Sequence, residues 1–173
     1  NVRFKTDIPG GNFYLENGGF TFDRYDSETV SRVFAAHSGL EPIPIPERLK
    51  CHAYQMTFVN SLSHQLKGKN AFETLYAYYL GDRSGKNARG FEEVICENLY
   101  EGIDLKVHSK GNLKYDFIIE AGADPKQIQI EYEGVKPKLK SDGTIELKTS
   151  VGKILESEPF AYQVIDGLIT RVD

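Results

Sequence analysis

The residues of this chain that are best able to do chemistry are its carboxylates. Glycosidases place two Asp or Glu side chains on either side of a sugar bond. The acidic candidates for such a pair are Glu92, Glu93, Asp104 and Asp116. Asp104 and Asp116 lie opposite the apolar faces of their predicted strands, where acidic side chains usually only solvate a sheet. A glycoside hydrolase-like enzyme is therefore the second alternative function and not the first hypothesis.

A carbohydrate-binding module is the first alternative. The chain has ten Tyr and ten Phe but no Trp. Tyr and Phe could replace Trp as a platform for sugar rings, on a concave sheet face with flanking Asn or Asp. Asp124, in Gly-Ala-Asp-Pro, invites a calcium-assisted version, but the EF-hand pattern is absent. Asp124 more simply caps the turn that Pro125 begins.

The histidines and cysteines do not form a recognisable reactive motif. His37, His52, His64 and His108 lack the His-x-His, His-x-x-x-His and Glu-x-x-His spacings, so a zinc site would need ligands from separate strands. His52 is interpreted as a hydrogen-bonded core or edge histidine. Cys51 and Cys96 could form one disulfide or both stay free. Cys96 lacks the local signatures of a cysteine protease and is expected to be a buried, small apolar residue.

The segment from Gly81 to Gly90 is predicted to be a polar loop. It is superficially similar to a phosphate-binding loop, which needs four residues between its first glycine and Gly-Lys, and then Ser or Thr. Here three residues separate Gly81 from Gly85, and Asn87 follows the lysine. We therefore expect a solvated loop. The sequence predicts no catalytic, cofactor-binding or metal-binding residue, and it names no ligand-binding residue.

Composition narrows the classes of partner. The net charge of −4 gives no electrostatic reason to bind nucleic acid or an anionic membrane. No apolar run approaches the ~20 residues that span a bilayer, so membrane insertion is not expected. The chain begins at Asn1 and not at Met, and we expect a processed or trimmed product whose targeting signal is out of view.

The elements that must position these residues are mostly strands. Asn17-Gly18-Gly19 favours a hairpin turn between two aromatic strands. Val30, Val33 and Phe34 recur at helical spacing, which predicts one short helix within Asp23 to His37, capped by Ser27 and ended by Gly39. Three alternating prolines in 41–46 favour an extended linker, so a weak domain boundary is possible near 41–50. We nevertheless expect a single all-β domain over 1–173.

The second half of the chain alternates between apolar and polar residues with period two. Leu113, Tyr115, Phe117 and Ile119 are predicted to form one buried face, and Ile128, Ile130 and Tyr132 another. Turns at 110–112, 141–143 and 166–167 separate the strands. Roughly a dozen short strands with short connections predict an antiparallel β-sandwich.

Several segments together resemble a known family. They are Asn98-Leu-Tyr-Glu-Gly-Ile-Asp104, Leu113-Lys-Tyr-Asp-Phe117, Gly122-Ala-Asp-Pro125, Tyr132-Glu-Gly134 and Pro159-Phe-Ala-Tyr-Gln163. The composite resembles a domain of unknown function at the N-terminus of large bacterial surface proteins. That domain often precedes SBBP β-propeller-type repeats, immunoglobulin-like modules or gliding-motility-type C-terminal sorting domains. In that family the loop after Tyr79-Leu80-Gly81 usually brings an aromatic residue, which Asp82 to Gly90 does not.

The resemblance implies a secreted or cell-surface location and a multidomain parent, with no catalytic residue to carry over. The first hypothesis is therefore a non-catalytic structural, adhesion or interaction module. Its expected partners are the neighbouring domains of the same parent chain, with cell-surface proteins or glycans as further candidates. No cofactor is expected.

Overall fold

The computed structural model describes residues 2–38, 47–62, 65–109 and 112–172. The chain divides into two compact units. The first comprises Asn1–Arg24 with Ala53–Glu131, and the second comprises Tyr25–His52 with Tyr132–Asp173. The expected all-β class is confirmed, with one helix and several antiparallel sheets in the described part of the chain.

Two sheets dominate the first unit. The first sheet has the order β1-β2-β3-β4-β9, and its strands are β1 (Val2–Ile8), β2 (Gly11–Glu16), β3 (Gly19–Tyr25), β4 (Cys51–Phe58) and β9 (Ile130–Glu133). The second has the order β5-β6-β7-β8, and its strands are β5 (Leu66–Leu80), β6 (Arg83–Tyr100), β7 (Ile103–His108) and β8 (Lys114–Ile119). A short 3₁₀ turn covers Pro125–Gln127, and Asp124 caps it as expected, accepting a hydrogen bond from the Lys126 N–H at 3.0 Å.

The core of the first unit lies between these sheets and is rich in aromatic rings. The Phe20 ring contacts that of Tyr115 with centroids 5.4 Å apart, and Phe58 contacts Phe117 at 5.9 Å. Both contacts join the first sheet to the second, as in a β-sandwich. Each such ring that leaves water contributes roughly 1.5–3 kcal/mol. The buried apolar residues of this core are Phe13, Leu15, Phe20, Phe22, Tyr54, Met56, Phe58, Val94, Cys96, Leu99, Tyr100, Ile103, Leu105 and Val107.

The predicted β2–β3 hairpin is confirmed. Glu16 pairs with Gly19, which leaves Asn17 and Gly18 as a two-residue turn. Gly18 has a φ of 84°, a conformation that glycine adopts without strain. A Cβ atom on Gly19 would lie 2.4 Å from the Met56 carbonyl oxygen, so β3 can approach β4 only because this residue is glycine.

The predicted helix is present as α1 (Ser27–His37), but its cap differs from the expectation. Asp26 is the N-cap, and its carboxylate accepts hydrogen bonds from the Thr29 N–H at 2.9 Å and the Thr29 hydroxyl at 2.6 Å. Ser27 is already helical, because the neighbouring carboxylate is the stronger acceptor for the first turn. Gly39, the predicted helix end, and the proline segment 41–46 lie outside the described residues.

The second unit also contains five short strands. They are β10 (Pro137–Leu139), β11 (Ile145–Thr149), β12 (Gly152–Glu156), β13 (Tyr162–Ile165) and β14 (Leu168–Arg171). The first three form one sheet in the order β10-β11-β12, and the last two form a separate hairpin. Leu147 is fully buried, while Glu146 beside it is buried with ion pairs to Lys153 and Lys140.

Two expectations about strands are wrong. The segment from Gly81 to Gly90 is not a polar loop, because only Gly81 and Asp82 form a turn and β6 begins at Arg83. In addition, the β8 side chains are covered less than predicted. Leu113, Tyr115 and Phe117 are only partly buried, and Ile119 is exposed, since β8 is an edge strand of its sheet.

Candidate interaction surface

The carboxylates proposed for glycoside chemistry are each held by a local partner. Asp104 accepts a hydrogen bond from the Asn98 N–H at 2.7 Å. Asp116 lies 3.2 Å from Lys106 Nζ and 3.3 Å from His108 Nε2, so a histidine–carboxylate pair does form on the outward side of β7 and β8.

The two glutamates proposed for glycoside chemistry also share a local partner. Glu92 and Glu93 both lie 3.3 Å from the Asn70 side-chain amide. These contacts are the kind that hold neighbouring strands together. No group of three or more His, Cys, Asp or Glu side chains able to hold a metal occurs among the described residues.

His52 is hydrogen-bonded through both ring nitrogens, as expected for a core or edge histidine. Nδ1 lies 3.1 Å from the Ser150 backbone nitrogen and 3.0 Å from the Ser150 hydroxyl. Because a backbone N–H can only donate, Nδ1 must accept, and Nε2–H donates to the Gly134 carbonyl at 3.0 Å. The His52 ring therefore joins three segments of the second unit through hydrogen bonds.

Both cysteines are free thiols, which resolves the alternatives that the sequence left open. Cys51 is exposed and Cys96 is buried. Burial, with further contributions from Asp104 and Glu97, raises the pKa of Cys96 to about 12. A thiol with that pKa stays protonated at neutral pH and is a poor nucleophile, so Cys96 behaves as the small apolar residue that the sequence predicted.

A small groove lies beside the β2–β3 turn. It has a volume of about 80 Å³ and is lined by residues 16–20 and 55–57. Pockets that enclose a small-molecule ligand usually measure roughly 300 Å³ or more. This groove is therefore too small to enclose a sugar ring or a cofactor.

One exposed apolar surface among the described residues is the far half of the β5–β6 hairpin, residues 71–91, which we call the arm. β7 pairs with β6 only from Glu93 onwards, and no described strand pairs with the outer edge of β5. The arm is therefore a two-stranded ribbon. Every side chain from Ala71 to Tyr79 is exposed, including the large apolar residues Phe72, Leu75, Tyr76, Tyr78 and Tyr79.

The arm has a face that we call the aromatic face, made of large rings on β5 and small residues on β6. A Cβ atom on Gly90 would come within 2.7 Å of the Phe72 ring and 3.7 Å of the Tyr76 ring, so both rings lean over this glycine. Cross-strand partners share a face of a ribbon. The face therefore continues with Tyr76 opposite Ala88 and Tyr78 opposite Gly85.

The opposite face of the arm is mixed. Leu75 pairs with Arg89, and Tyr79 pairs with Ser84. A charged group and a hydroxyl group thus accompany the apolar residues there, whereas the six residues of the aromatic face are all uncharged.

Local backbone features shape the arm. Gly81 has a φ of 58° at the first turn position between Leu80 and Arg83, which suits a tight two-residue hairpin turn. The register shifts between Ala71 and Leu75 and again between Tyr76 and Tyr78. Asn70 and Asn87 adopt left-handed φ angles of 52° and 62° beside these shifts, as residues at bulges often do.

Sequence reasoning missed this surface because it placed Ser84 to Gly90 in a loop. One signal was available. Phe72, Tyr76 and Tyr78 recur at even spacing, and the segment after the turn contains four small residues, Ser84, Gly85, Ala88 and Gly90. Even spacing of rings indicates that they share a face of a strand, and small residues opposite them leave those rings uncovered.

Comparison with known proteins places the whole chain in one family. A family model described as "Domain of unknown function (DUF7948)" matches residues 1–173. No curated protein and no solved structure matches the chain. In the part of the chain that the structure describes, no helix has the length and apolar character needed to cross a membrane. The full-length match shows that the chain belongs to this family of domains of unknown function, DUF7948.

Proposed function

We propose that the chain is a non-catalytic interaction module of a secreted or surface-attached multidomain bacterial protein, and that the arm is its binding surface. The observation that carries this proposal is the arm itself, which exposes five large apolar side chains on a ribbon whose outer edge no described strand pairs with. Apolar side chains gathered in one exposed patch usually mark a binding site.

The energetics of the arm support the same proposal. A two-stranded ribbon is at best marginally stable in water, because it buries little apolar surface. Covering a half-exposed aromatic ring contributes roughly 1–2 kcal/mol. The exposed parts of these five side chains add nothing to the stability of the folded chain, and those parts that a partner covers would contribute to a complex. Tyr is also among the residues enriched at the centres of protein interfaces.

The resemblance of segments such as Asn98–Asp104 and Leu113–Phe117 to bacterial surface proteins supports the secreted or cell-surface setting. In that setting the neighbouring domains of the parent chain and other surface proteins are the partners within reach. The module would then hold neighbouring domains of the parent chain or adhere to other surface proteins.

A carbohydrate-binding role is the alternative, and one observation favours it. Tyr76, Tyr78 and Tyr79 are exposed, and Asn70 and Asn87 flank them along the ribbon. Exposed rings beside amides are the groups that sugars use for stacking and hydrogen bonding. The second alternative, glycoside hydrolysis, is supported only by the outward His108–Asp116 pair.

Site-specific photo-crosslinking tests the proposal. A benzophenone amino acid would replace Tyr78 in the full-length parent, produced in its own bacterium, and Phe34 of α1 would be replaced as the control. Phe34 is also an exposed ring, with 70% of its surface accessible. We expect a discrete protein adduct at position 78 and none at position 34. Equal adducts at both positions, or no adduct at position 78, would contradict the proposal.

Glycan arrays separate the alternative from the main proposal. The chain and its Tyr76→Ser, Tyr78→Ser double variant would be probed side by side. Binding to a glycan that is lost in the double variant would replace the protein-interaction role by the carbohydrate-binding one.

A further inference from the structure

We infer that the arm binds the arm of a second copy of this chain, aromatic face against aromatic face. This inference rests on the proposed function, in which the arm is the binding surface, and it names the partner. The shape, the charge and the area of the aromatic face support contact between two copies.

The aromatic face is complementary in shape to itself. Its β5 side is a ridge of rings, namely Phe72, Tyr76 and Tyr78, and its β6 side is a groove of small residues, namely Gly85, Ala88 and Gly90. The chain's own Phe72 and Tyr76 rings cover the Gly90 end of this groove. The groove is open near the tip, because a Cβ atom on Gly85 would meet nothing within 4 Å. A ring from outside can therefore enter the groove there.

The strand register places two rings of the ridge level with small residues of the groove. Tyr78 and Gly85 are cross-strand partners, so they lie at the same height on the ribbon, as do Tyr76 and Ala88. A twofold axis parallel to the strands would place the β5 ridge of one copy over the β6 groove of the other. Tyr78 of each copy would then lie over Gly85 of the other, which is the reciprocal pattern of an isologous interface.

Charge favours contact between copies at the arm. The six residues of the aromatic face are uncharged, so two identical faces meet without like-charge repulsion. The segment 71–91 has three basic residues (Arg83, Lys86 and Arg89) and two acidic ones (Glu73 and Asp82), which gives +1, while the whole chain has −4. The remainder therefore has −5, so the arm carries little of the charge by which two copies repel each other.

The backbone disfavours the other mode of self-pairing, edge to edge. The two register shifts in the arm interrupt the regular ladder of pairs, and such interruptions disfavour continuous pairing of an edge strand with another strand. Contact through the faces of the ribbons does not need an unbroken edge.

The area sets the expected affinity. Phe72, Tyr76 and Tyr78 are 45%, 46% and 56% exposed. Covering the aromatic face would therefore remove roughly 300–400 Å² per chain, or about 600–800 Å² in total. That total is the size of a weak, transient interface. We therefore expect a weak dimer that forms at hundreds of micromolar, on the order of 10⁻⁴ M.

Sedimentation velocity from about 10 µM to 1 mM tests the inference, because a weak interface of this size should associate in that range. The test variant is Gly85→Glu, which fills the groove with a charged side chain. Gly85 has open space around its Cβ position, so the substitution should not disturb the fold. The matched control is Ser84→Glu, which adds the same charge one residue away on the opposite face. Circular dichroism spectra would verify that both variants are folded.

We expect the wild-type chain and Ser84→Glu to dimerise, and Gly85→Glu to weaken the dimer on the order of tenfold or more. A wild-type chain that stays monomeric over the whole range would overturn the inference. So would a Gly85→Glu dimer as strong as the wild type, or an equal loss in Ser84→Glu. A monomeric chain whose position 78 still crosslinks to a different protein would overturn only the second-copy partner and leave the proposed function intact.

Discussion

The β2–β3 hairpin and the arm contain similar aromatic residues, but these are buried in the hairpin and exposed in the arm. Both are antiparallel strand pairs closed by two-residue turns, and both present rings on one face. Phe20 in the first hairpin is 1% exposed, whereas Tyr78 in the arm is 56% exposed. The difference arises from what lies opposite, because β8 supplies Tyr115 against Phe20, whereas the described residues show no ring contact to Tyr78.

This contrast teaches that aromatic content does not tell whether a strand serves folding or binding. In the β2–β3 hairpin the rings form a cluster in which Phe13 contacts Phe20 at 5.0 Å and Phe22 stacks on Tyr54 at 4.7 Å. Such contacts add to the free energy of unfolding. The same ring types in the arm remain in water, so their apolar surface is available to a partner.

The largest expected effect comes from truncating one ring in each hairpin. Phe20→Ala removes a fully buried ring and should lower the free energy of unfolding by about 3–5 kcal/mol. Tyr78→Ala should change it by no more than about 0.5 kcal/mol, because the ring is largely solvated. Urea unfolding monitored by circular dichroism measures both. Equal losses in the two variants would show that the arm ring is covered within the folded chain.

A smaller effect is expected from adding one methyl group to a glycine of each region. In Gly19→Ala the new Cβ meets the Met56 backbone at 2.4 Å, which cannot move without shifting a strand, and we expect a loss of about 1–3 kcal/mol. In Gly90→Ala the obstacle is the Phe72 ring at 2.7 Å, which can swing into solvent, so the loss should stay below about 1 kcal/mol. Thermal unfolding of both variants measures these losses. A larger loss for Gly90→Ala than for Gly19→Ala would contradict the difference between the two hairpins.

Acid titration extends the contrast between covered and exposed positions to charged side chains. The hydrogen bond from Lys153 lowers the pKa of Glu146, and a hydrogen bond from Lys67 lowers that of Glu97. A depressed carboxyl pKa stabilises the fold above the unfolded pKa of about 4.3, and that stability is lost as pH falls through the folded pKa.

Glu146 is buried and Glu97 is half exposed, so solvent screens the second pair more. We expect Glu146→Gln to flatten the decline in unfolding free energy between about pH 5 and pH 3 more than Glu97→Gln does. Urea unfolding at several pH values measures these slopes. The account fails here if Glu97→Gln has the larger effect.

The smallest expected effect is chemical and leaves stability unchanged. Iodoacetamide should alkylate Cys51, which is exposed, and spare Cys96, whose buried thiol has a pKa raised to about 12. Mass spectrometry of the native chain should show one added group, and two after unfolding. Two added groups in the native chain, or a disulfide between these cysteines, would show that Cys96 is accessible.

Much of the fold could be predicted from the sequence, because local chemistry dictates it. Asn17-Gly18 specifies the β2–β3 turn, and the alternation of Ile103, Leu105 and Val107 gives the buried face of β7. The helix could be predicted from the spacing of its apolar residues. Its N-cap could not, because Asp26 and Ser27 are adjacent residues that can both accept the capping hydrogen bond, and Asp26 is the one that does.

The remainder depends on distant partners. Ser84 to Gly90 has no strand pattern of its own, and it is a strand because the β5 backbone pairs with it. The hydrogen bonds of His52 reach Gly134, which is 82 positions further along the chain, and Ser150, which is 98 positions further. The spacing of residues along the sequence does not predict such long-range contacts. It also does not predict that the arm remains exposed.

The central claim is that the arm serves binding and that folding does not need it. Ala71 and Phe91 are cross-strand partners, so a tight Asn-Gly turn can replace Phe72 to Gly90 without breaking the pairs below. Sedimentation velocity of this shortened chain reports its compactness and its mass together. We predict a compact monomer at concentrations where the intact chain dimerises. A shortened chain that is expanded or aggregated, or that dimerises as the intact chain does, would contradict the account.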